Sequence, residues 1–471
     1  MQGTWATSAG LDLHIEVTGT RPRAALESAL RHAIRSGRLA AGTPLPSSRA
    51  LAADLGLARN TVADAYGQLV AEGWLAARHG SGTRVAGHAA QIPSAGPAHV
   101  RAPSAGARHN LRPGVPDVSA FPRSAWLAAA RRALAAAPAQ SLIGYGDPRG
   151  PLVLRTALAS YLARARGVSA TPERIIVCAG FSQGLELLSD LLSSKGQRTL
   201  AIEAYGHPAH RQVVASAGMR LVPVPVDDRG ALCDGAPPPG TGALLLTPAH
   251  QYPLGVALAP ERRRQAIEWA AAGDRLIIED DYDGEFRYDR QAVGALQALA
   301  PDQVIYAGTA SKSLAPGLRL GWLVVPERLA GEVAEIKRAT SRLSSSLDQL
   351  TLAELISSGG YDRQVRRVRL TYRARRDRLV SELRRKVPEV AVTGIAAGLH
   401  VLIRLPAGVA EEDVIDGAAA RGLALQGLAS CRAGGPELGP ALIVGYAAPP
   451  GHAFAAAVAL LCAALRAAIA A

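Results

Sequence analysis

A lysine and an arginine stand seven residues apart in an otherwise apolar run, Gly308-Thr309-Ala310-Ser311-Lys312-Ser313-Leu314-Ala315-Pro316-Gly317-Leu318-Arg319-Leu320-Gly321-Trp322. The chain holds only four lysines, Lys195, Lys312, Lys337 and Lys386, within a total of 52 lysines and arginines. A lysine kept where arginine is the usual cation suggests an amine needed as a nucleophile. Arginine stays charged in proteins, whereas a desolvated lysine loses its proton readily and can form an imine. Taken alone, the Ser-Lys pair also reads as a lysine that snorkels from a loop. Upstream, Ile277-Ile278-Glu279-Asp280-Asp281-Tyr282 reads as a buried strand ending in two acids and a tyrosine. Cys178-Ala179-Gly180-Phe181-Ser182-Gln183-Gly184-Leu185-Glu186 reads as a strand, a tight glycine turn and a helix start. Backbone N–H groups at such a helix start form an anion site. An imine-forming lysine, a phosphate cradle, a strand-end acid and a second phosphate cation are together what pyridoxal 5'-phosphate requires.

The elements that would position these groups can be read from the same pattern. Residues 175–178, 199–203, 243–247, 275–279 and 304–307 read as short buried strands with helical patterns between most of them, which predicts a parallel or mixed α/β sheet. The last third turns to a strand over 399–405 with helices around it, a smaller α+β lobe. At 471 residues the chain exceeds a single-core domain. Cys178, Cys233, Cys431 and Cys462 are scattered without CxxC spacing, which argues for reduced thiols and against a disulfide frame or a zinc site. Residues 1–15 lack a basic segment followed by an apolar core, so no signal peptide is expected. The longest apolar helix, over 453–465, is expected to be too short to span a bilayer. A cytoplasmic protein without metal is predicted.

The N-terminal region carries a different chemistry. Residues 24–37 form an amphipathic helix with Leu26, Leu30, Ala33 and Ile34 on one side, stopped by Gly37. Ser47 is a good N-cap for a short helix through Leu55. Gly56 permits a sharp turn, and Ala58-Arg59-Asn60-Thr61-Val62 opens a third helix running to about Glu72. Trp74 to Val85 reads as a hairpin with Arg78-His79-Gly80-Ser81-Gly82 at its tip. Three helices and a basic hairpin make a winged helix-turn-helix. Arg59, Asn60 and Thr61 stand at the first turn of the third helix, where short polar and basic side chains reach base edges in the major groove. Arg49, His79 and Gly80 are placed for phosphate contacts. The bland alternative is a small protein-binding helical domain with solvated arginines. Leu45-Pro46-Ser47-Ser48-Arg49-Ala50-Leu51-Ala52-Ala53-Asp54-Leu55-Gly56, with Gly80-Ser81-Gly82-Thr83, closely resembles the GntR family of bacterial regulators. A net charge of +13 suits a polyanion partner.

In order and spacing, the segments around Lys312 resemble the fold-type I aminotransferases over residues 110–471. The resemblance implies Lys312 as the Schiff-base lysine, Asp280 at the pyridine nitrogen, where a carboxylate keeps the ring an electron sink, and Tyr282 at the phenolate oxygen. It implies a phosphate held by N–H groups near Phe181, Ser182 and Gln183, by the Thr309 and Ser311 hydroxyls, and by Arg319. Tyr145, in Gly144-Tyr145-Gly146-Asp147-Pro148, matches a tyrosine that reaches across the family's dimer, and His207 matches the ring-stacking position, with Tyr205 as the alternative. Only Asp281 separates the acid from the tyrosine. That spacing, followed by Asp283-Gly284-Glu285-Phe286-Arg287-Tyr288, resembles the MocR branch of the GntR regulators, which carry an aminotransferase-like domain behind a winged helix. Two departures from ordinary aminotransferases matter. The usual phenolate-binding asparagine position is Tyr252, and the C-terminal strand Ala441-Leu442-Ile443-Val444-Gly445-Tyr446 has no arginine for a substrate carboxylate, leaving Arg432 or Arg404 as substitutes.

The expected organisation is therefore a winged helix-turn-helix over 14–86, a flexible linker over 87–109, and an aminotransferase-like, pyridoxal-phosphate-binding domain over 110–471. As a coil, the linker's ends would lie on the order of 25–30 Å apart. The implied function is an operator-binding transcription regulator, working as a homodimer, that senses pyridoxal phosphate, an amine or an amino acid. A working aminotransferase whose N-terminal module localises or autoregulates it is the alternative. Residues 361–386 hold eleven basic residues against three acids on one long predicted helix. That helix reads either as a solvated interlobe element or as a second DNA-backbone or interdomain surface.

Overall fold

The computed structural model describes residues 6–8, 11–13, 21–78, 82–87, 107–234, 237–288, 293–340 and 344–470. His79 and Gly80 at the expected hairpin tip, and most of the expected linker, lie outside the described residues. The chain divides into two compact units, Met1–Ser104 and Ala105–Ala471.

In the first unit the helices Pro22–Arg35, Ser48–Leu55 and Arg59–Ala71 pack around Leu26, Leu30, Ile34, Leu51, Val62 and Leu69. The Ser47 hydroxyl accepts from the Ala50 N–H at 3.2 Å, a cap of the kind that contributes about 1 kcal/mol. Gly56, at φ 65°, closes that helix in the left-handed region and turns the chain into the third helix. Leu75–Arg78 and Gly82–Val85 pair as an antiparallel hairpin. The Leu45 N–H donates to Thr83 O at 2.8 Å, so the turn before the second helix lies along the hairpin's edge. Arg31 clamps Glu72 through Nε and Nη2, both at 2.9 Å, fixing the first helix to the end of the third. The first unit is a winged helix-turn-helix.

The second unit is built on a seven-stranded sheet in the order Ile175–Cys178, Gly321–Val324, Val304–Thr309, Leu276–Asp280, Ala243–Leu246, Thr199–Glu203, Arg220–Val224. All neighbours are parallel except Gly321–Val324, which runs antiparallel to both of its partners. The central strands are buried at every position, as expected where helices cover both faces of a parallel sheet. A smaller lobe holds the antiparallel strands Ala391–Thr393, His400–Arg404 and Ala441–Gly445 with the helices Glu411–Ala420 and Phe454–Ala470. The helix Gly360–Lys386 joins the two cores, inserting Tyr361 and Val365 into one and Tyr372, Leu379 and Leu383 into the other.

The final helix is longer than its sequence pattern predicts. Gly451–Ala470 spans 20 residues and is, by length and composition, long and apolar enough to cross a membrane. The alanines after Leu465 extend it because alanine has the highest helix propensity. One side of it packs into the smaller lobe through Ala457, Val458, Leu461, Cys462 and Leu465. All four cysteines are free and buried.

Candidate functional site

Four parallel strands of the large sheet deliver residues to one cavity at their C-terminal ends, the position where open α/β sheets place ligands. The cavity, about 220 Å³, is lined among others by Glu203, Asp280, Thr309 and Lys312. The alternation of the strand Leu276–Asp280 explains why its acids behave differently. Side chains point to opposite faces in turn, so Asp280 and Tyr282 share the cavity while Glu279 and Asp281 face away. Glu279 accepts the N–H groups of Leu296 and Gln297 at 2.8 and 2.9 Å. Asp281 accepts from Arg166 Nε at 2.6 Å and from the Tyr306 hydroxyl at 2.7 Å, a buried pair. Asp280 is 4% exposed, and its carboxylate makes no hydrogen bond to any described residue.

Lys312 follows the strand that pairs with Asp280's own. Its Nζ donates to Gly114 O at 2.5 Å. Burial raises Asp280 well above the ordinary carboxylate range and lowers Lys312 below the ordinary ammonium range, while each partner's charge offsets part of the other's shift. Such a lysine gives up its proton more easily than a solvated one.

At the far side, Gly180 at φ 88° starts the helix Phe181–Ser194. A Cβ on Gly180 would come within 3.2 Å of Arg319 Nη2, so a glycine is what lets the guanidinium lie beside the helix start. Arg319 itself takes a left-handed backbone, φ 51°, a cost of the kind retained at functional sites. Its guanidinium makes no hydrogen bond or ion pair among the described residues. The Thr309 hydroxyl accepts from the Ser311 N–H at 3.1 Å and lies 2.8 Å from the Ser311 hydroxyl, holding both at this end of the cavity. A group with a protonated ring nitrogen at one end and an anion at the other would satisfy both the lone carboxylate and the lone guanidinium. Pyridoxal 5'-phosphate fits that donor and acceptor set.

Phe181, Ser182, His207, Tyr282 and Arg319 line the same cavity. His207 Nδ1 accepts from the Ala209 N–H at 3.2 Å, capping the helix Pro208–Ser216 and fixing the ring. Tyr205 does not line the cavity; its hydroxyl accepts from the Leu438 N–H at 3.1 Å. Gln183 is also outside the lining, and its side-chain oxygen accepts from the Ala179 N–H at 2.7 Å, shaping the glycine turn. Tyr145 is 92% exposed and does not line this cavity. Arg404 and Arg432 are absent from the lining, where they donate instead to Leu438 O and Gly435 O at 2.8 Å each.

Sequence reasoning missed His210 and Arg211. Both follow from the helix start at Pro208, because positions three and four beyond His207 return to its face. Arg211 donates to the carbonyls of Cys431 at 2.8 Å and Ser430 at 3.1 Å. Burial, with the nearby cations His207, Lys312 and Arg211, pushes His210 down to about 3. His250 was missed too. Its Nδ1 lies 3.1 Å from the Tyr282 hydroxyl and 2.8 Å from Asp283 Oδ2, so one ring nitrogen ties the cavity tyrosine to a buried carboxylate. His250, Asp283 and His400 form a cluster with the geometry of a metal site. Two of the histidine nitrogens face protein acceptors, however, His400 Nε2 lying 3.1 Å from Pro253 O.

In the first unit, Arg49, Arg59 and Asn60 are exposed, and Thr61 is half-buried. Arg59 and Asn60 lie in the first turn of their helix.

The aminotransferase class I and II family matches residues 110–428, and the bacterial regulatory proteins of the gntR family match residues 22–85. The chain is similar to the HTH-type pyridoxine biosynthesis transcriptional regulator PdxR of Corynebacterium glutamicum, 36% identical over 383 residues that cover 80% of this chain and 82% of that one. It is 34% identical over 406 residues, 81% of each chain, to the probable rhizopine catabolism regulatory protein MocR of Rhizobium meliloti. The α-aminoadipate aminotransferase LysN of Thermus thermophilus, complexed with N-(5'-phosphopyridoxyl)-L-leucine, superposes with a TM-score of 0.67 at 25% identity, over 77% of this chain and 92% of that one.

Glu203 supplies a test of the site's electrostatics. Burial pushes its carboxyl up to about 7, although the Thr247 hydroxyl and N–H donate to it. Its folded value lies above its unfolded one, so its contribution is present at low pH and is lost as pH rises through about 7. Glu203→Gln is expected to raise the urea midpoint of the cofactor-free protein at pH 8 relative to wild type, and to flatten the midpoint's fall between pH 5 and pH 8. An unaltered pH profile would contradict this placement.

Proposed function

The chain belongs to the gntR family of bacterial regulatory proteins, in the MocR-type arrangement that joins a DNA-binding domain to an aminotransferase class I and II domain, and from this premise we propose that its second unit holds pyridoxal 5'-phosphate and senses that cofactor or an amine condensing with it. The observation that carries the reading is one cavity lined by Lys312, by the buried Asp280 carboxylate and by the Arg319 guanidinium, the last two without a hydrogen-bond partner among the described residues.

When bound, the cofactor supplies an electron sink and a carbonyl that captures primary amines. The chain's residues do the holding. Lys312 offers a half-buried amine whose proton is more easily lost than that of a solvated lysine. Asp280 offers an oxygen to a protonated ring nitrogen. Arg319 and the N–H groups of Phe181 and Ser182 bind the phosphate, each charge-assisted hydrogen bond worth roughly 1.5–3 kcal/mol. Thr309 and Ser311 add hydroxyls. Tyr282, positioned by His250 and Asp283, donates to the phenolate oxygen. His207, with its ring fixed by the helix cap and lining the cavity, would stack on the cofactor.

The protein works as a cytoplasmic homodimer on operator DNA. Ile143, Tyr145, Leu152 and Val153 are each more than half exposed, and an apolar patch of that kind suits a subunit face, from which Tyr145 would reach the partner's site. Arg211 also lines the cavity. Catalytic transamination would use the same residues. Sensing is favoured because the strand Ala441–Gly445 carries no arginine and Arg211 is already bound to three backbone carbonyls.

Borohydride reduction of the yellow holoprotein, followed by peptide mapping, is expected to label Lys312, and Lys312→Ala should abolish the adduct. Label on Lys195, Lys337 or Lys386 would reject the assignment.

On the DNA side, Arg59→Ala is expected to weaken operator binding by about tenfold or more while leaving random-sequence binding nearly intact, because base-edge pairs discriminate by roughly 1–3 kcal/mol. Arg49→Ala should weaken both alike, since phosphate contacts carry no code. Equal losses for Arg59→Ala on the two DNAs, read by fluorescence anisotropy, would contradict this division.

A further inference from the structure

The helix Gly360–Lys386 runs 27 residues, about 40 Å at 1.5 Å per residue. Its inner line is apolar and packed into both cores of the second unit. Its outer side carries Arg363, Arg366, Arg373, Arg378, Arg384 and Arg385, all exposed. At 3.6 residues per turn these six fall within a sector of about 140°. The helix's other arginines are engaged with the protein. Arg375 pairs with Asp117 at 2.8 Å, Arg369 donates to Glu285 O at 2.6 Å, Arg367 donates to Ala120 O at 2.6 Å, and the half-buried Arg376 lies 3.5 Å from Asp377.

The exposed six are short of counter-charge. Arg385 pairs with Glu382 at 2.8 Å, and Arg373 reaches Asp377 only at 4.0 Å. Arg366, Arg378 and Arg384 make no hydrogen bond or ion pair among the described residues. Asp377 is the one fully exposed acid of this helix. Like charges at neighbouring helix positions repel, so a rigid row of this kind is stabilised by an anion that repeats along its length.

We infer that this face is a second, sequence-independent contact surface for the backbone of double-stranded DNA. The inference rests on the DNA-binding reading above. A duplex presents one negative charge per about 1.7 Å of axis, which matches a row tens of ångströms long, as a compact anion does not. A second copy of this chain, itself at net +13, is disfavoured on the same surface. The chain also brings its own duplex, because the winged helix is covalently attached to this unit and raises the local DNA concentration there.

The test uses the full-length holoprotein and a duplex enriched from random sequence by that protein, in a long form and in a form trimmed to the winged-helix footprint. Affinity is measured across a salt series for wild type, for the triple variant Arg366→Gln, Arg378→Gln, Arg384→Gln, and for Asp377→Asn. Each lost phosphate contact flattens the slope of log K against log salt by about 0.9. The triple variant is expected to flatten the slope on the long duplex by about 2–3 and to leave the trimmed duplex unchanged. Asp377→Asn, which removes the acid nearest Arg373 and Arg376, should steepen it. Unchanged slopes for both variants, with wild-type operator binding retained, would overturn the inference. A shift in sedimentation without a change in slope would assign the face to contacts between copies and overturn it as well. Absence of any DNA binding by the wild type would instead reject the regulator reading.

Discussion

A buried carboxylate and a half-buried amine on the wall of one cavity organise the second unit. Asp280 ends one strand of the parallel sheet and Lys312 follows the strand beside it, so the sheet register brings a carboxylate and an amine to one cavity. Drawing such charges out of solvent costs several kcal/mol per buried ion before their mutual attraction is counted. The remaining acids of the same segment are satisfied elsewhere, Glu279 by two backbone N–H groups and Asp281 by Arg166 and Tyr306. Asp280 is left without a donor among the described residues, a demand that a protonated ligand nitrogen would meet. The far end of the cavity repeats the logic with the opposite sign. There the Arg319 guanidinium and the helix start at Gly180 offer donors that no described side chain accepts.

At the anion end of the cavity two residues take a positive φ, Gly180 at 88° and Arg319 at 51°. His207 serves first as a helix cap, and that role aims its ring into the cavity. Tyr282 is held from behind by a histidine and a carboxylate that never reach the cavity themselves. The winged helix follows a simpler rule: a small core of leucines and one tyrosine leaves Arg59 and Asn60 outward on the first turn of the third helix.

Much of this was legible in the sequence because it is local. Ser47, Gly56 and the apolar spacing of residues 24–37 specify the first unit's helices by capping and periodicity alone. The strand 175–178 is a continuous apolar run, 199–203 is an apolar Leu-Ala-Ile centre between Thr199 and Glu203, and both form where that pattern puts them. The i, i+2 spacing of Asp280 and Tyr282 already implies one shared face. What escaped is what distance in the chain conceals. Arg211 reaches the carbonyls of residues 430 and 431, and His250 meets Asp283 across 33 positions. The partners of the arginines in Gly360–Lys386 were equally hidden, so Arg369 cannot be told from Arg366 by periodicity. The terminal helix was underestimated because alanine runs carry little hydrophobic contrast to mark an end.

In the proposed regulator the two units act on each other: what occupies the cavity changes how the winged helix holds DNA. Coupling between two sites is reciprocal in free energy. The most direct measurement is a closed thermodynamic box by titration calorimetry: operator binding to the cofactor-loaded and cofactor-stripped protein, and cofactor binding to the free and operator-bound protein. The predicted result is a change of about fivefold or more in operator affinity on loading, matched by the same factor in cofactor affinity on operator binding. Tight cofactor binding with both ratios equal to one would contradict the claim and leave a DNA-binding unit merely tethered to an aminotransferase fold.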